Sequence, residues 1–243
     1  MDLPYIEAPL FYWLNPGAGY VNFQQGTAGV LSVLDVVNGT LTSQTTASKQ
    51  PLLVTSNSGA GPKSLSFASA SSQYLSANAA VAALPNTGFT VCFVAAAATP
   101  ASAGPFTAVS LGNSGTGALV EMQTASNTVK VVAVKDGGGT TTGATGVMSD
   151  TNFHVYSIVW NGSAIVLRKD GTQVSTNSVS GSFTVNQLTI GALNSNGSQS
   201  HYYNGSVAQV AVWSGGAAEI ARVEQYFMGV AQQLTSPAGT PGY

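Results

Sequence analysis

The stretch NFHVYSIVWNGSAIVLRKDGTQVS, residues 152–175, decides the fold class. Residues 153–160 are a β-branched and aromatic run of strand length. Asn161-Gly162 follows, a pair that accepts positive φ at little cost, then a second apolar run at 165–168, then a second such pair at Asp170-Gly171. Two Asx-Gly turns separated by one short strand describe an antiparallel meander.

Period-2 alternation extends in both directions from this segment. Phe89, Val91 and Phe93 alternate with Thr90, Cys92 and Val94; Ala118, Val120 and Met122 alternate with Leu119, Glu121 and Gln123; Val129, Val131 and Ala133 alternate with Lys130, Val132 and Val134. Further strands are expected at 187–193 and 206–213. Several of these strands are apolar on both faces, so they belong at the centre of a sandwich or beneath a second layer. Residues 217–234 alone carry helical spacing. Ile220, Val223, Phe227, Val230 and Leu234 form one stripe, with Glu219, Arg222, Glu224, Gln225 and Gln232 mostly off it. This helix is expected to lie across the sandwich near its end, with Gly229 weakening it by about 1 kcal/mol relative to Ala. Residues 1–62 alternate little and read as an irregular leading segment that donates a few strands. The organisation expected is an arm over 1–12, one domain over 13–234 and a Pro/Gly-containing tail over 235–243.

Charge is scarce. Among 243 residues, 7 are Lys or Arg and 9 are Asp or Glu, together 7%, where an ordinary soluble domain has roughly a quarter. So few cations cannot neutralise a run of phosphates, which excludes a nucleic-acid surface, and they exclude polybasic membrane attachment as well. At 44% hydrophobic residues the chain has ample core material. Cys92, the single cysteine, excludes an internal disulfide and a cysteine-rich zinc site. No apolar run reaches the roughly 18 residues of a membrane helix, and the acidic start lacks the positive charge of a signal peptide. The expectation is synthesis in the cytoplasm, yet the 28 glycines and the abundant Ser, Thr and Asn suit an extracellular surface.

Six segments in order, SLSFASASSQYLS (64–76), FTVCFVAAA (89–97), HVYSIVW (154–160) with KDGTQV (169–174), LTIGAL (188–193), YYNGSVAQVAVW (202–213) and AAEIARVEQYFMGVAQQL (217–234), resemble the laminin-G-like branch of the concanavalin A-like lectin/glucanase superfamily. The resemblance covers about residues 10–234 and implies an all-β antiparallel jelly-roll sandwich with one C-terminal helix. It is a signature of fold, and one fold hosts many functions. Ala68 stands where the family often has Asp-Gly, and Gln209 where it often has an acidic residue. Both departures remove carboxylates that bind calcium in some members.

Catalysis finds little support. Glycoside hydrolysis needs two flanking carboxylates, and the Glu-x-Asp-x-x-Glu cluster of laminarinase-like relatives is missing. Glu121 is the only acidic residue in a central strand and reads as a solvent-facing one. There is no Gly-x-Ser-x-Gly elbow, Cys92 sits in an apolar strand, and His154 reads as a packed or surface strand residue. Asp136, Asp150 and Asp170 are explained by turns rather than by a metal.

The best binding constellation is the loop 194–204, with Asn194, Asn196, His201, Tyr202 and Tyr203. Amides, an imidazole and aromatic faces are what a neutral sugar needs. The Gly-rich loop 136–146 is expected beside it. The competing reading has Tyr202 and Tyr203 opening a strand and packing in the core. These features point to a non-enzymatic virion protein, a bacteriophage capsid decoration, head-fibre or tail-associated component on the particle surface, with glycan-mediated adhesion. Its partners would be other virion proteins, copies of itself in an oligomer and host-surface or mucus glycans, with no nucleic acid, membrane, cofactor or metal. The alternative is a lectin-like carbohydrate-binding module of a cellular or secreted protein.

Overall fold

In the computed structural model the residues described are 10–18, 21–23, 25–26, 28–55, 61–78, 81–99, 104–113, 115–126, 128–147, 150–195, 197–215 and 219–235. The expected tail from 236 lies outside them, as does most of the expected arm. The meander at 152–175 forms one wing of the first sheet. Its strands run β15 (Thr172–Ser178), β14 (Ala164–Lys169), β13 (His154–Trp160), β8 (Phe89–Ala97), β19 (Gly205–Ser214), β6 (Lys63–Phe67) and β5 (Leu52–Thr55), and β1 (Leu10–Leu14) pairs with the later half of β19. Asn161 Oδ1 closes the first turn by accepting the Ser163 and Ala164 amides at 3.0 and 2.8 Å. Asp170 sits at φ +47°, the left-handed conformation that Asx residues tolerate.

A second sheet packs against the first. Its order is β12 (Thr140–Val147), β11 (Thr128–Val134), β10 (Leu119–Ala125), β9 (Phe106–Gly112), β16 (Gln187–Ile190), β7 (Leu75–Asn78), β4 (Leu41–Ser43), β3 (Val30–Leu34) and β2 (Val21–Phe23). The described strand pairings within these two sheets are antiparallel. A small hairpin, β17 (Leu193–Ser195) and β18 (Ser198–Ser200), forms a separate two-stranded ladder. Phe93, Tyr156, Trp160 and Val212 from the first sheet meet Leu75, Val109, Leu111, Met122 and Ile190 from the second in the main core. Trp160 stands edge-on to Phe183 at 4.9 Å between ring centres. Each such side chain contributes about 1.5–3 kcal/mol on burial.

The one described α-helix, α1 (Ile220–Thr235), lies on the outer face of the first sheet rather than near the end of the sandwich. The cause is the two-faced apolarity of β8 and β19. Cys92, Val94, Ala211 and Trp213 point away from the main core and are covered by Ile220, Val223, Phe227 and Val230. Glu224 corrects the helical-wheel expectation. Its side chain is buried, and it accepts Nε and Nη2 of Arg168 on β14 at 2.8 and 2.9 Å. The leading segment is more regular than its sequence suggests, supplying β1 and β5 to the first sheet and β2, β3 and β4 to the second. Tyr12, inside the expected arm, is fully buried in the main core.

Candidate functional site

A row of cross-strand partners runs over the outer face of the second sheet, from Asn22 through Ser32, Ser43, Ser76, Thr189 and Ser110 to Glu121. Strand alternation explains it. The neighbours of these residues, Leu75 and Ala77, Leu188 and Ile190, Val109 and Leu111, Val120 and Met122, all face the main core. The row is therefore the polar side of half-buried strands.

The described residues of segment 191–203 cover the Ser110–Glu121 end of this row. Ser110 Oγ donates to Ala192 O at 2.9 Å and accepts the Asn194 amide at 3.2 Å, while the Thr107 amide donates to His201 O at 2.7 Å. Gly191 makes the turn, at φ +86°, where a Cβ would stand 2.4 Å from the Phe67 ring. Beneath this cover Glu121 is 1% exposed, which corrects its reading as a solvent-facing residue. Its carboxylate accepts Thr107 Oγ1 at 2.5 Å and Gln123 Nε2 at 2.6 Å. His201 Nδ1 lies 3.7 Å from Glu121 Oε2, an ion-pair separation too long for a hydrogen bond.

The five residues singled out in the sequence are divided by this geometry. Asn194 is buried, and its Oδ1 accepts the Gly197 amide at 3.0 Å, so it shapes the hairpin turn. Asn196 lies outside the described residues. Tyr203 is 1% exposed and belongs to the main core. His201 and Tyr202 reach the surface, His201 at φ +48°, a left-handed conformation uncommon outside glycine. Tyr202 is anchored by its hydroxyl, which donates to Gln199 O at 3.0 Å, and its ring stands 6.3 Å from that of Tyr74. Tyr74 was not singled out by sequence reasoning. It lies over a hundred positions from Tyr202, and only the β7–β16 pairing brings their neighbourhoods together. Both rings are partly buried, leaving a tilted aromatic pair with an imidazole beside it on the surface.

The Gly-rich loop begins two strands across from β9, at the Gly112 end that Asn194 O approaches rather than at the His201 end. It follows Val134, which registers through Leu119 with Gly112, whereas His201 binds Thr107 at the opposite end of β9. Asp136 secures its base, accepting Ser182 Oγ at 2.7 Å and Thr184 Oγ1 at 2.9 Å. Burial pushes the Cys92 thiol far up, so it has no thiolate character at neutral pH.

His154 is held between two carboxylates. Its Nδ1 lies 2.7 Å from Asp170 Oδ2 and its Nε2 2.9 Å from Asp150 Oδ1. With both ring nitrogens engaged, the imidazole has no free lone pair to activate a nucleophile. The hydrogen bond to Asp170 holds its pKa above the usual 6.5, against partial burial. Asp150 is held below 3.8 chiefly by its hydrogen bond with His154. For Asp170 burial acts upward, but His154 and the Val155 amide outweigh it and the net shift is down. The raised histidine contributes stability that is complete below about pH 6.5 and fades as pH climbs through its folded pKa, while the lowered carboxylates contribute above about pH 4 and lose this on acidification. The difference in melting temperature between wild type and His154→Gln is therefore expected to peak near pH 5–6 and to shrink as pH rises through the raised folded pKa. A difference that does not vary with pH would mean that His154 acts by packing alone.

The fold has counterparts among solved structures. The binding domain of Paraclostridial Mosquitocidal Protein 1 superposes with a TM-score of 0.63 at 12% identity, covering 90% of this chain and 52% of that one. Domain 4 of AbnA, a GH43 extracellular arabinanase from Geobacillus stearothermophilus, in complex with arabinotriose, gives 0.61 at 9% identity over 93% of this chain and all of that one, 100%. The binding domain of botulinum neurotoxin DC in complex with SialylT gives 0.56 at 11% identity, covering 84% and 52%. The chain thus spans about half the length of the two toxin binding domains. These identities establish likeness of fold. A comparison with curated protein sequences finds no match. The laminin-G-type family model matches residues 69–220, from just after β6 to the first residue of α1, and with the two packed antiparallel sheets it places the protein: the chain belongs to the concanavalin A-like lectin/glucanases superfamily.

Proposed function

We propose that this chain is a non-catalytic, glycan-binding display module, with the sugar seated on the edge formed by Tyr74, His201 and Tyr202. The observation that carries this reading is the tilted Tyr74–Tyr202 pair, 6.3 Å between ring centres, held by the Tyr202 hydroxyl on Gln199 O. Partly exposed aromatic faces beside polar groups match the apolar C–H face and hydroxyl rim of a neutral sugar. Arabinotriose and SialylT accompany two of the structures of like fold, which supports the ligand class. The non-catalytic part is supported by Glu121, whose cross-strand neighbours on that face, Ser110 and Val132, supply no second carboxylate for a hydrolytic pair.

A panel of neutral and sialylated oligosaccharides titrated by calorimetry tests this. Wild type is expected to bind at least one class, and Tyr202→Ala to weaken that binding at least tenfold, about 1.4 kcal/mol, with the melting temperature nearly kept. Failure of wild type to bind any of them, or steady release of reducing sugar, overturns the reading. The finer setting proposed is the surface of a bacteriophage particle. It rests on a nearly uncharged Gly/Ser/Thr/Asn-rich surface combined with a lone buried thiol, which suits a shell component made in a reducing compartment. Co-sedimentation with particles from the source supports that setting. Retention on a polysaccharide column without particle association moves the protein to a cellular or secreted lectin.

A further inference from the structure

We propose that the cleft between the end of α1 and the start of β13 is a second binding site, for a ligand that carries a protonated amino group on a hydroxylated ring, an amino sugar. This goes beyond the Tyr74–Tyr202 reading and does not depend on it, since the cleft lies on the outer face of the other sheet.

The cleft has a volume of about 490 Å³, within the range of small-molecule sites. Its two walls are tied together, because the Phe153 amide donates to Thr235 Oγ1 at 3.2 Å, joining the last residue of α1 to the residue before β13. Phe153 and Met228, both partly buried against the helix–sheet core, provide an apolar floor. Asn152 and Gln232 add amides at the rim.

Electrostatics select the ligand. Asp170 lines the cleft, and Asp150 stands behind it on the far side of the His154 ring. Each carboxylate side chain is 40% exposed, and one imidazole lies between the two. The carbonyl end of α1 adds partial negative charge at Thr235. Lys169 acts on His154 through space but does not line the cleft. An anion is therefore repelled, whereas an ammonium group meets a carboxylate with spare lone pairs and the face of Phe153. The ring of an amino sugar then lays its apolar face on Met228 and directs hydroxyls to Asn152 and Gln232.

The test follows the Met228 methyl group by NMR while glucosamine, glucose and choline are added separately to the full chain. Glucosamine is expected to shift the methyl saturably. Glucose, which lacks the ammonium, and choline, which lacks the ring, are expected to act at least tenfold more weakly. Asp170→Asn removes the charge yet keeps an oxygen for the Val155 amide and suits the left-handed backbone there. It is expected to weaken glucosamine at least tenfold in a protein whose spectrum otherwise changes only around His154, which loses its Asp170 partner, while Tyr202→Ala leaves the Met228 response intact. No methyl shift with glucosamine, an equal response to glucose or choline, an unaltered response in Asp170→Asn, or loss of the response in Tyr202→Ala overturns the proposal.

Discussion

Arg168→Ala is expected to destabilise the fold by about 3–5 kcal/mol, because it leaves a carboxylate buried without its partner. Glu224 has a side chain 2% exposed, and the bidentate contact with Arg168 joins α1 to β14, the strand next to the edge of the first sheet. Coulomb attraction in that partly dry environment offsets the desolvation of both ions only while both are present. The double replacement Arg168→Met with Glu224→Leu is accordingly expected to recover most of the loss, since an apolar pair of like volume needs no counter-charge. Denaturant titration of the three proteins measures this. A loss below about 1 kcal/mol for Arg168→Ala would mean that water reaches Glu224 and the pair behaves as a surface one.

Gly205→Ala is expected to cost about 3 kcal/mol, at the upper end of overpacking penalties. A Cβ there would stand 2.2 Å from Ala96 O and 3.0 Å from Ala97 Cα, both backbone atoms of β8, and 2.9 Å from the Tyr203 ring. Gly205 opens β19 and is paired on both sides, with Ala97 and with Phe67, so the strand cannot step aside. The displacement is expected to pass into Tyr203 and Tyr202 just before it and to weaken glycan binding along with stability. Gly229→Ala is the internal contrast. Its Cβ would meet open space, and the helix is expected to gain about 1 kcal/mol. If both substitutions change stability by the same small amount, β19 can move away from β8 at Gly205 at little cost.

The candidate site was only partly legible. His201 and Tyr202 were singled out because a polar loop ending in aromatics is a local pattern. Asn194 has the same local pattern, yet the hairpin uses its side chain to close a turn, and Tyr203 differs from Tyr202 only by the alternation that sends it inward. Tyr74 could not be paired with Tyr202 from the sequence, because the contact crosses two strands that are far apart in the chain. Glu121 looked exposed since its strand alternates cleanly, and alternation says which face a residue takes but not whether something later in the chain covers that face.

By itself the sequence determined the class of the fold: period-2 runs punctuated by Asx-Gly turns admit antiparallel strands, and strands apolar on both faces require a covering layer. These are local properties, set by side-chain alternation and by which residues tolerate positive φ. Only the tertiary structure decided that α1 is that layer, that Glu224 and Glu121 are buried, and that Tyr74, His201 and Tyr202 share one edge. Burial and proximity between distant residues depend on how whole elements pack, and neither composition nor spacing encodes that packing one residue at a time.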